Sequence, residues 1–269
     1  MKNITLIIGL FLYMLSTFVQ AGKENAVVPV SLQDVIHSKV LQEMRSYMVH
    51  LPRGYGNSEH RYPVFYLLDA EQGNYFQQTI KTIESLSNHG KIPEMIVVGI
   101  KNTNRLRDMN IPEFIYRDEI IVGGANNFLS FLKNELMSVI DKKYRTTHFN
   151  VLSGRSASAT FSIFTMISEP NLFNAIIASS PSFYVNEKII ITKTRALFKN
   201  RKYFDPIFFM NLGTEDSKKR IEQTKHYTKL LKNIAPSNFK WEMRVMEGEG
   251  HVPETSNLDG LLMIFSNGT

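Results

Sequence analysis

Ser156, a carboxylate at Glu215 or Asp216, and His251 have the residue types, and follow one another in the order, that nucleophilic catalysis by serine requires. A serine hydroxyl is a poor nucleophile until a base takes its proton, and an imidazole serves better as that base when a carboxylate orients its ring. Ser156 stands in Ser153-Gly154-Arg155-Ser156-Ala157-Ser158-Ala159, directly after the apolar run Phe149-Asn150-Val151-Leu152 and ahead of a helical segment reaching Ile167. A strand, a sharp turn and a helix with serine at the turn make a nucleophile elbow, whose backbone is strained and whose neighbours two positions away must be small. Gly154 and Ser158 fill those positions. Where the usual GxSxG pattern ends in glycine, Ser158 adds a β-carbon and a hydroxyl to a crowded turn. A serine at such a turn also serves as a helix cap, so the motif needs its partners.

His251 follows the strand-like Trp241-Glu242-Met243-Arg244-Val245-Met246 and sits in Gly248-Glu249-Gly250-His251-Val252-Pro253, a flexible loop suited to carrying the base. The other histidines have no comparable setting, and none of the seven forms an HExxH pair, so no metal is expected. In Gly213-Thr214-Glu215-Asp216-Ser217, Asp216 or Ser217 can cap the helix beginning near Lys218, which makes Glu215 the preferred acid and Asp216 the alternative. The oxyanion requires two preorganised donors. One is expected from the N–H of Ala157, at the start of a helix, and the other from Ala70, with Asp69 as the next choice, in the loop after Leu68. Asp69 and Glu71 of that loop read as solvated acids rather than a cation site. Arg155 beside the serine, with Arg105 and Arg107 in the Asn102–Val122 segment, could face an anionic substrate.

These side chains need a scaffold that gathers loops from distant parts of the chain. Tyr62–Leu68, Met95–Ile100, Phe149–Leu152, Ala175–Ala178 and Ile207–Leu212 are nearly continuous apolar runs, as parallel strands covered on both faces require. Between them, Ala125, Phe128, Leu129, Leu132, Leu136, Val139 and Ile140 recur at helical spacing, as do Ile221, Tyr227, Leu230, Leu231 and Ile234. Alternating strands and helices predict an α/β fold with a mainly parallel central sheet and helices on both faces. Sites in such sheets lie at the carboxyl ends of the strands. Val40–Leu51 reads as an edge strand, closed by the turn signals Pro52 to Asn57.

The 269 residues, 43% of them apolar, suit one catalytic domain, taken as 40–269. Lys2 precedes an apolar run from Ile4 to Val19 and the small-residue site at Ala21, the pattern of a signal peptide over 1–21, with 22–39 as an N-terminal approach segment. Its cleavage would leave a periplasmic or secreted protein without stable membrane insertion. The absence of cysteine excludes disulfides, thiol nucleophiles and thiolate metal sites. Lys and Arg number 31 against 25 Asp and Glu, and loss of Lys2 with the leader leaves 30 against 25. The excess is mild and scattered, so no nucleic acid partner is expected.

Taken together, YPVFYLLDAE at 62–71, IPEMIVVGIKNTNRLRD at 92–108, GGANNFLSFLKNEL at 123–136, YRTTHFNVLSGRS at 144–156 and GEGHVPETSNLDGL at 248–261 resemble the Putative esterase (esterase D) family. That family includes siderophore esterases, feruloyl esterases and S-formylglutathione hydrolases, and the resemblance runs from about Val40 to Phe265. It implies the α/β-hydrolase fold and an ester hydrolase without cofactor acting on a small-molecule ester. By matching motif positions it gives the Ser-His pair to Ser156 and His251 and the acid to Glu215. Relatives usually read GHSxGG at the elbow and LDG where this chain has Leu68-Asp69-Ala70, departures that bear on efficiency more than on fold. The expected reaction is hydrolysis through an acyl-enzyme on Ser156, of a siderophore or other anionic ester. The alternatives are a ligand-binding homologue with impaired catalysis and an acyltransferase using the same serine.

Overall fold

The structure is a computed structural model that describes residues 31–112, 114–199 and 203–266. The leader and its cleavage point at Ala21 lie outside the described residues. The chain enters through β1 (Ser31–Ser38) and β2 (Glu43–His50), continues through β3 (Tyr62–Leu67) and α1 (Tyr75–Asn88), and reaches β4 (Ile96–Ile100) and the short α2 (Arg105–Asp108). A separate hairpin, β5 (Phe114–Tyr116) with β6 (Glu119–Ile121), precedes α3 (Ala125–Phe131), which runs through a π segment (Leu132–Leu136) into α4 (Met137–Lys143). The alternation then continues as β7 (Thr146–Arg155), α5 (Ala157–Ser168), β8 (Ala175–Ser179), α6 (Glu187–Lys199), β9 (Ile207–Gly213), α7 (Lys218–Ile234), β10 (Trp241–Met246) and α8 (Ser256–Phe265).

Eight of these strands form one sheet in the order β1-β2-β4-β3-β7-β8-β9-β10. From β4 to β10 all neighbours are parallel, whereas β2 pairs antiparallel with both β1 and β4. The apolar runs occupy the middle because a parallel strand covered by helices exposes neither face. Successive side chains therefore feed two separate cores. Val64, Tyr66, Ile176 and Met210 pack with Phe128, Leu132, Phe161 and Tyr227 on one face. Phe65, Leu67, Ile177 and Phe209 pack with Ile80, Ile83, Leu261 and Ile264 of α1 and α8 on the other. The two helical stripes read from the sequence both lie on the first face, with Val139 and Ile234 only partly buried and Ile221 outside the packed cluster.

The start of the sheet requires a correction. Ser31–Ser38, within the expected approach segment, is a full strand paired with β2 along its whole length, so the edge of the sheet is β1 and not Val40–Leu51. Its side chains are mostly exposed, which is why no apolar pattern marks it. Polar contacts dock it instead: Asp34 accepts hydrogen bonds from Tyr47 Oη at 2.8 Å and Lys143 Nζ at 2.5 Å, and Ser38 Oγ donates to Glu135 at 2.5 Å.

Candidate active site

β7 ends at Arg155 and α5 begins at Ala157, leaving Ser156 alone at the turn with φ 57° and ψ −120°. A non-glycine residue holds such a left-handed conformation only where its surroundings over-determine it. Here Ser156 N–H donates to the Ser179 carbonyl at 2.9 Å, and the Ser156 carbonyl accepts from Ser182 N–H at 3.1 Å. Strand and helix approach so closely that a β-carbon at Gly154 would lie 2.4 Å from the Ser158 carbonyl oxygen, which explains the glycine. Among the described residues, the Ser156 hydroxyl and the Ala157 N–H have no protein hydrogen-bond partner. The first-turn amide of a twelve-residue helix is thus available to an anion beside the hydroxyl.

The histidine loop is built from the neighbouring strand ends. A β-carbon at Gly213 would sit 2.1 Å from the Glu249 carbonyl oxygen, so glycine there lets the end of β9 lie against the loop. Glu215 N–H donates to that same carbonyl at 2.9 Å, and Val252, at φ 65°, donates its N–H to Ser180 Oγ at 3.0 Å. His251 is thereby presented with Nδ1 2.9 Å from Asp216 Oδ2. The expected preference for Glu215 is corrected: Glu215 is exposed and contributes its backbone, whereas the Asp216 side chain is 1% exposed and faces the ring. Sequence reasoning set Asp216 aside as a helix cap, and its Oδ1 does accept the Ser217 N–H at 2.6 Å and pair with Arg220. One carboxylate does both jobs through its two oxygens. Burial pushes the Asp216 carboxyl up, but the bonds from His251, the Ser217 amide and Arg220 outweigh it and hold the group below its ordinary value. An ionised carboxylate only accepts, so Nδ1 carries the proton of this bond, and the neutral tautomer that the bond selects has its lone pair on Nε2.

No hydrogen bond joins the His251 ring to the Ser156 hydroxyl among the described residues. The two are nonetheless mounted on one short segment after β8, where Ser182 N–H holds the Ser156 carbonyl and Ser180 Oγ holds the residue after His251. Catalytic contacts of this kind are often long before substrate binds.

The second expected oxyanion donor is also corrected. Ala70 N–H donates to the Ile100 carbonyl at 3.2 Å and is spent within the fold, whereas among the described residues Glu71 N–H has no protein acceptor. The left-handed Asp69, at φ 58°, turns the chain at this point. This loop packs on the elbow: Arg155 donates to Gln72 Oε1 at 3.1 Å and its guanidinium lies 3.9 Å from the centre of the Tyr75 ring. Arg155 thus lines a cleft of about 410 Å³ with Tyr75, Gln78, Lys81, Pro253 and Asn257. The other two arginines expected at the substrate are engaged elsewhere. Arg105 forks onto Asp69 at 2.8 and 2.7 Å, and Arg107 pairs with Glu43 and Asp108 at 2.6 and 2.7 Å. Such bidentate pairs satisfy a guanidinium and leave it little reach for a ligand.

A doubly covered parallel sheet, with the elbow after β7 and the Asp216–His251 pair on the loops after β9 and β10, all at the carboxyl ends of their strands, defines an α/β-hydrolase. Residues 38–245 match the family model described as Putative esterase, and the chain belongs to that family of carboxylic-ester hydrolases. Over 213 residues the chain is 24% identical to the ferri-bacillibactin esterase BesA of Bacillus subtilis, covering 71% of this chain and 74% of that one. YbbA, an uncharacterized protein of the same organism, is 24% identical over 199 residues, or 72% and 77% of the two chains. Among solved structures, an IroE-like serine hydrolase from Shewanella oneidensis aligns with a TM-score of 0.82 at 26% identity, over 89% of this chain and 81% of that one. The BES protein from Bacillus cereus shares the fold, with a TM-score of 0.77 at 22% identity over 90% and 98%.

Proposed function

We propose that the protein is an exported serine esterase that cleaves its substrate through an acyl-enzyme on Ser156. The observation that carries this reading is the pairing of a strained serine at φ 57°, whose hydroxyl has no protein partner among the described residues, with a histidine whose Nδ1 is held by a buried carboxylate. In the first half-reaction Ser156 Oγ forms a bond to the ester carbonyl carbon while its proton passes to His251 Nε2. The carbonyl electron pair rests on the oxyanion, met by the N–H groups of Ala157 and Glu71, and returns as the ester C–O bond breaks. His251 gives its proton to the departing alcohol. Water repeats the sequence on the acyl-enzyme, releasing the carboxylic acid and restoring the serine hydroxyl. Asp216 remains ionised throughout and stabilises the imidazolium.

For the substrate, the reading is an anionic ester of the siderophore type. Arg155 beside the nucleophile and Lys81 in the same cleft supply positive charge, and the relative named as a ferri-bacillibactin esterase points the same way. Export rests on the leader, and is checked by fractionation and by a mature N-terminus at Gly22. A fluorophosphonate probe tests the nucleophile: the native protein should label and Ser156→Ala should not, with kcat/KM on nitrophenyl acetate falling by about 10^4-fold or more. Equal labelling of both would reject Ser156, and a native protein that binds ester but neither labels nor turns over would be a binding homologue. An isolated catecholate triester that survives the active enzyme would reject the substrate reading.

A further inference from the structure

Ser158 is wholly buried in the first turn of α5, three residues after Arg155. Its Oγ accepts the Arg155 backbone N–H at 2.8 Å and lies 2.8 Å from both the Arg155 carbonyl oxygen and Asp69 Oδ2. A hydroxyl has one proton to give, and the carboxylate is the stronger acceptor, so that proton goes to Asp69. One oxygen therefore does two things. It closes a bracket over Ser156, from the side chain at 158 to the amide at 155, and it ties that turn to the loop after β3.

Asp69 is the fixed point to which this bracket is anchored. Its side chain is buried completely, and its oxygens accept four hydrogen bonds from three residues. Oδ1 receives Asn102 Nδ2 and Arg105 Nε at 2.8 Å each, while Oδ2 receives an Arg105 terminal nitrogen at 2.7 Å and the Ser158 hydroxyl. A carboxylate satisfied on both oxygens by a guanidinium fork and an amide has little freedom to shift. Two residues further on is Glu71, whose N–H has no protein acceptor among the described residues, so the same network secures both donor-bearing turns.

We propose that Ser158 is a positioning residue for ester hydrolysis, acting through Asp69 to hold the Ser156 turn and the Glu71 amide in register. The inference rests on Ser156 being the nucleophile. Glycine at 158 would leave the part-buried Arg155 amide without this acceptor and remove one of the donors to Asp69. The strained backbone at 156 would lose the bracket that spans it. On this account the hydroxyl that departs from the GxSxG pattern stabilises the elbow instead of crowding it.

The test uses the full mature protein, steady-state kinetics on nitrophenyl acetate, and the rate of fluorophosphonate labelling. Ser158→Ala should lower kcat by about 10- to 100-fold with KM within about twofold, and should slow labelling by a similar factor. Asp69→Asn should do the same, and the double variant should lose little more than either single one, because the two groups act as a unit. Unchanged kcat and labelling rate in Ser158→Ala, or single losses that simply multiply in the double variant, would overturn the proposal. Should Ser158→Ala not fold, Arg105→Gln decides. That side chain is 31% exposed, its loss loosens Asp69 alone, and an unaltered kcat there is equally fatal. Failure of the native protein to label, or labelling that persists in Ser156→Ala, rejects the nucleophile itself and is thereby told apart from failure of the positioning role.

Discussion

The two halves of the site are held in place by different kinds of bond. On the nucleophile side, a buried carboxylate, a guanidinium and an amide converge, with Asp69 bonded to Arg105, Asn102 and Ser158. On the histidine side, the loop is braced mainly by neutral groups. Ser180 Oγ accepts Val252 N–H, and the wholly or nearly buried Ser179, Asn211 and Ser256 form a cluster in which Ser256 Oγ donates to the Pro253 carbonyl and lies 2.7 Å from Ser179 Oγ and 2.9 Å from Asn211 Nδ2. The difference follows from what each half must do. The elbow carries a strained backbone that cannot drift, which suits strong, charge-assisted bonds. On the proposed mechanism the imidazole must approach and leave the hydroxyl as protons move, which suits a loop with weaker neutral braces and one ionic contact at the ring itself, Asp216.

The sharpest break in this contrast comes at that one ionic contact. Asp216→Asn should reduce kcat by about 10^3- to 10^4-fold, because an amide can select the wrong imidazole tautomer and cannot stabilise its charged form, whereas Glu215→Gln should stay within about twofold. Steady-state kinetics on the pair of variants decides it, and the reverse ranking would restore Glu215 as the acid. Next in size, Ser256→Ala probes the neutral braces. It should cost about 1–3 kcal/mol in urea unfolding, by stripping partners from buried Asn211 and Ser179, while lowering kcat less than Ser158→Ala does. A kcat loss larger than that of Ser158→Ala would erase the proposed distinction between the halves.

The smallest effect lies at β1, far from either half. Asp34, held by Lys143, Tyr47 and its neighbouring amide, titrates at about 2 in place of its ordinary 3.8. A carboxyl lowered in the folded state stabilises it fully above the unfolded value, and that stabilisation is lost as pH falls from near 4 through about 2. Because the ion pair is largely exposed, Asp34→Asn should cost no more than about 1 kcal/mol at pH 6, and the gap to the native protein should close by about pH 2. Urea melts at both pH values would show it, and a gap that widens on acidification would contradict the assignment. Asp216 obeys the same sign: the stabilisation that its ionised carboxyl lends the fold is lost only as pH falls below the ordinary carboxylate range.

Much of this was legible along the chain. The central strands announce themselves because residues buried on both faces must be apolar, and the elbow because strand, small residues and helix are contiguous between Phe149 and Ile167. Edge strand β1 was not, since its exposed face carries no pattern. Nor were the donors: whether an amide such as that of Ala70 or Glu71 is free depends on which carbonyl a neighbouring strand presents, and Ile100 lies 30 positions away.

By itself, the amino-acid sequence determined the parallel α/β scaffold, the esterase family and the order of serine, acid and histidine, because each is written in local composition or in motifs of contiguous residues. Only the tertiary structure put Asp216 and not Glu215 against the His251 ring, held Arg105 on Asp69, and gave Ser158 a carboxylate partner 89 positions away. Those choices turn on direction and distance between side chains brought together from separate strand ends, and a linear string of residue types does not contain either quantity.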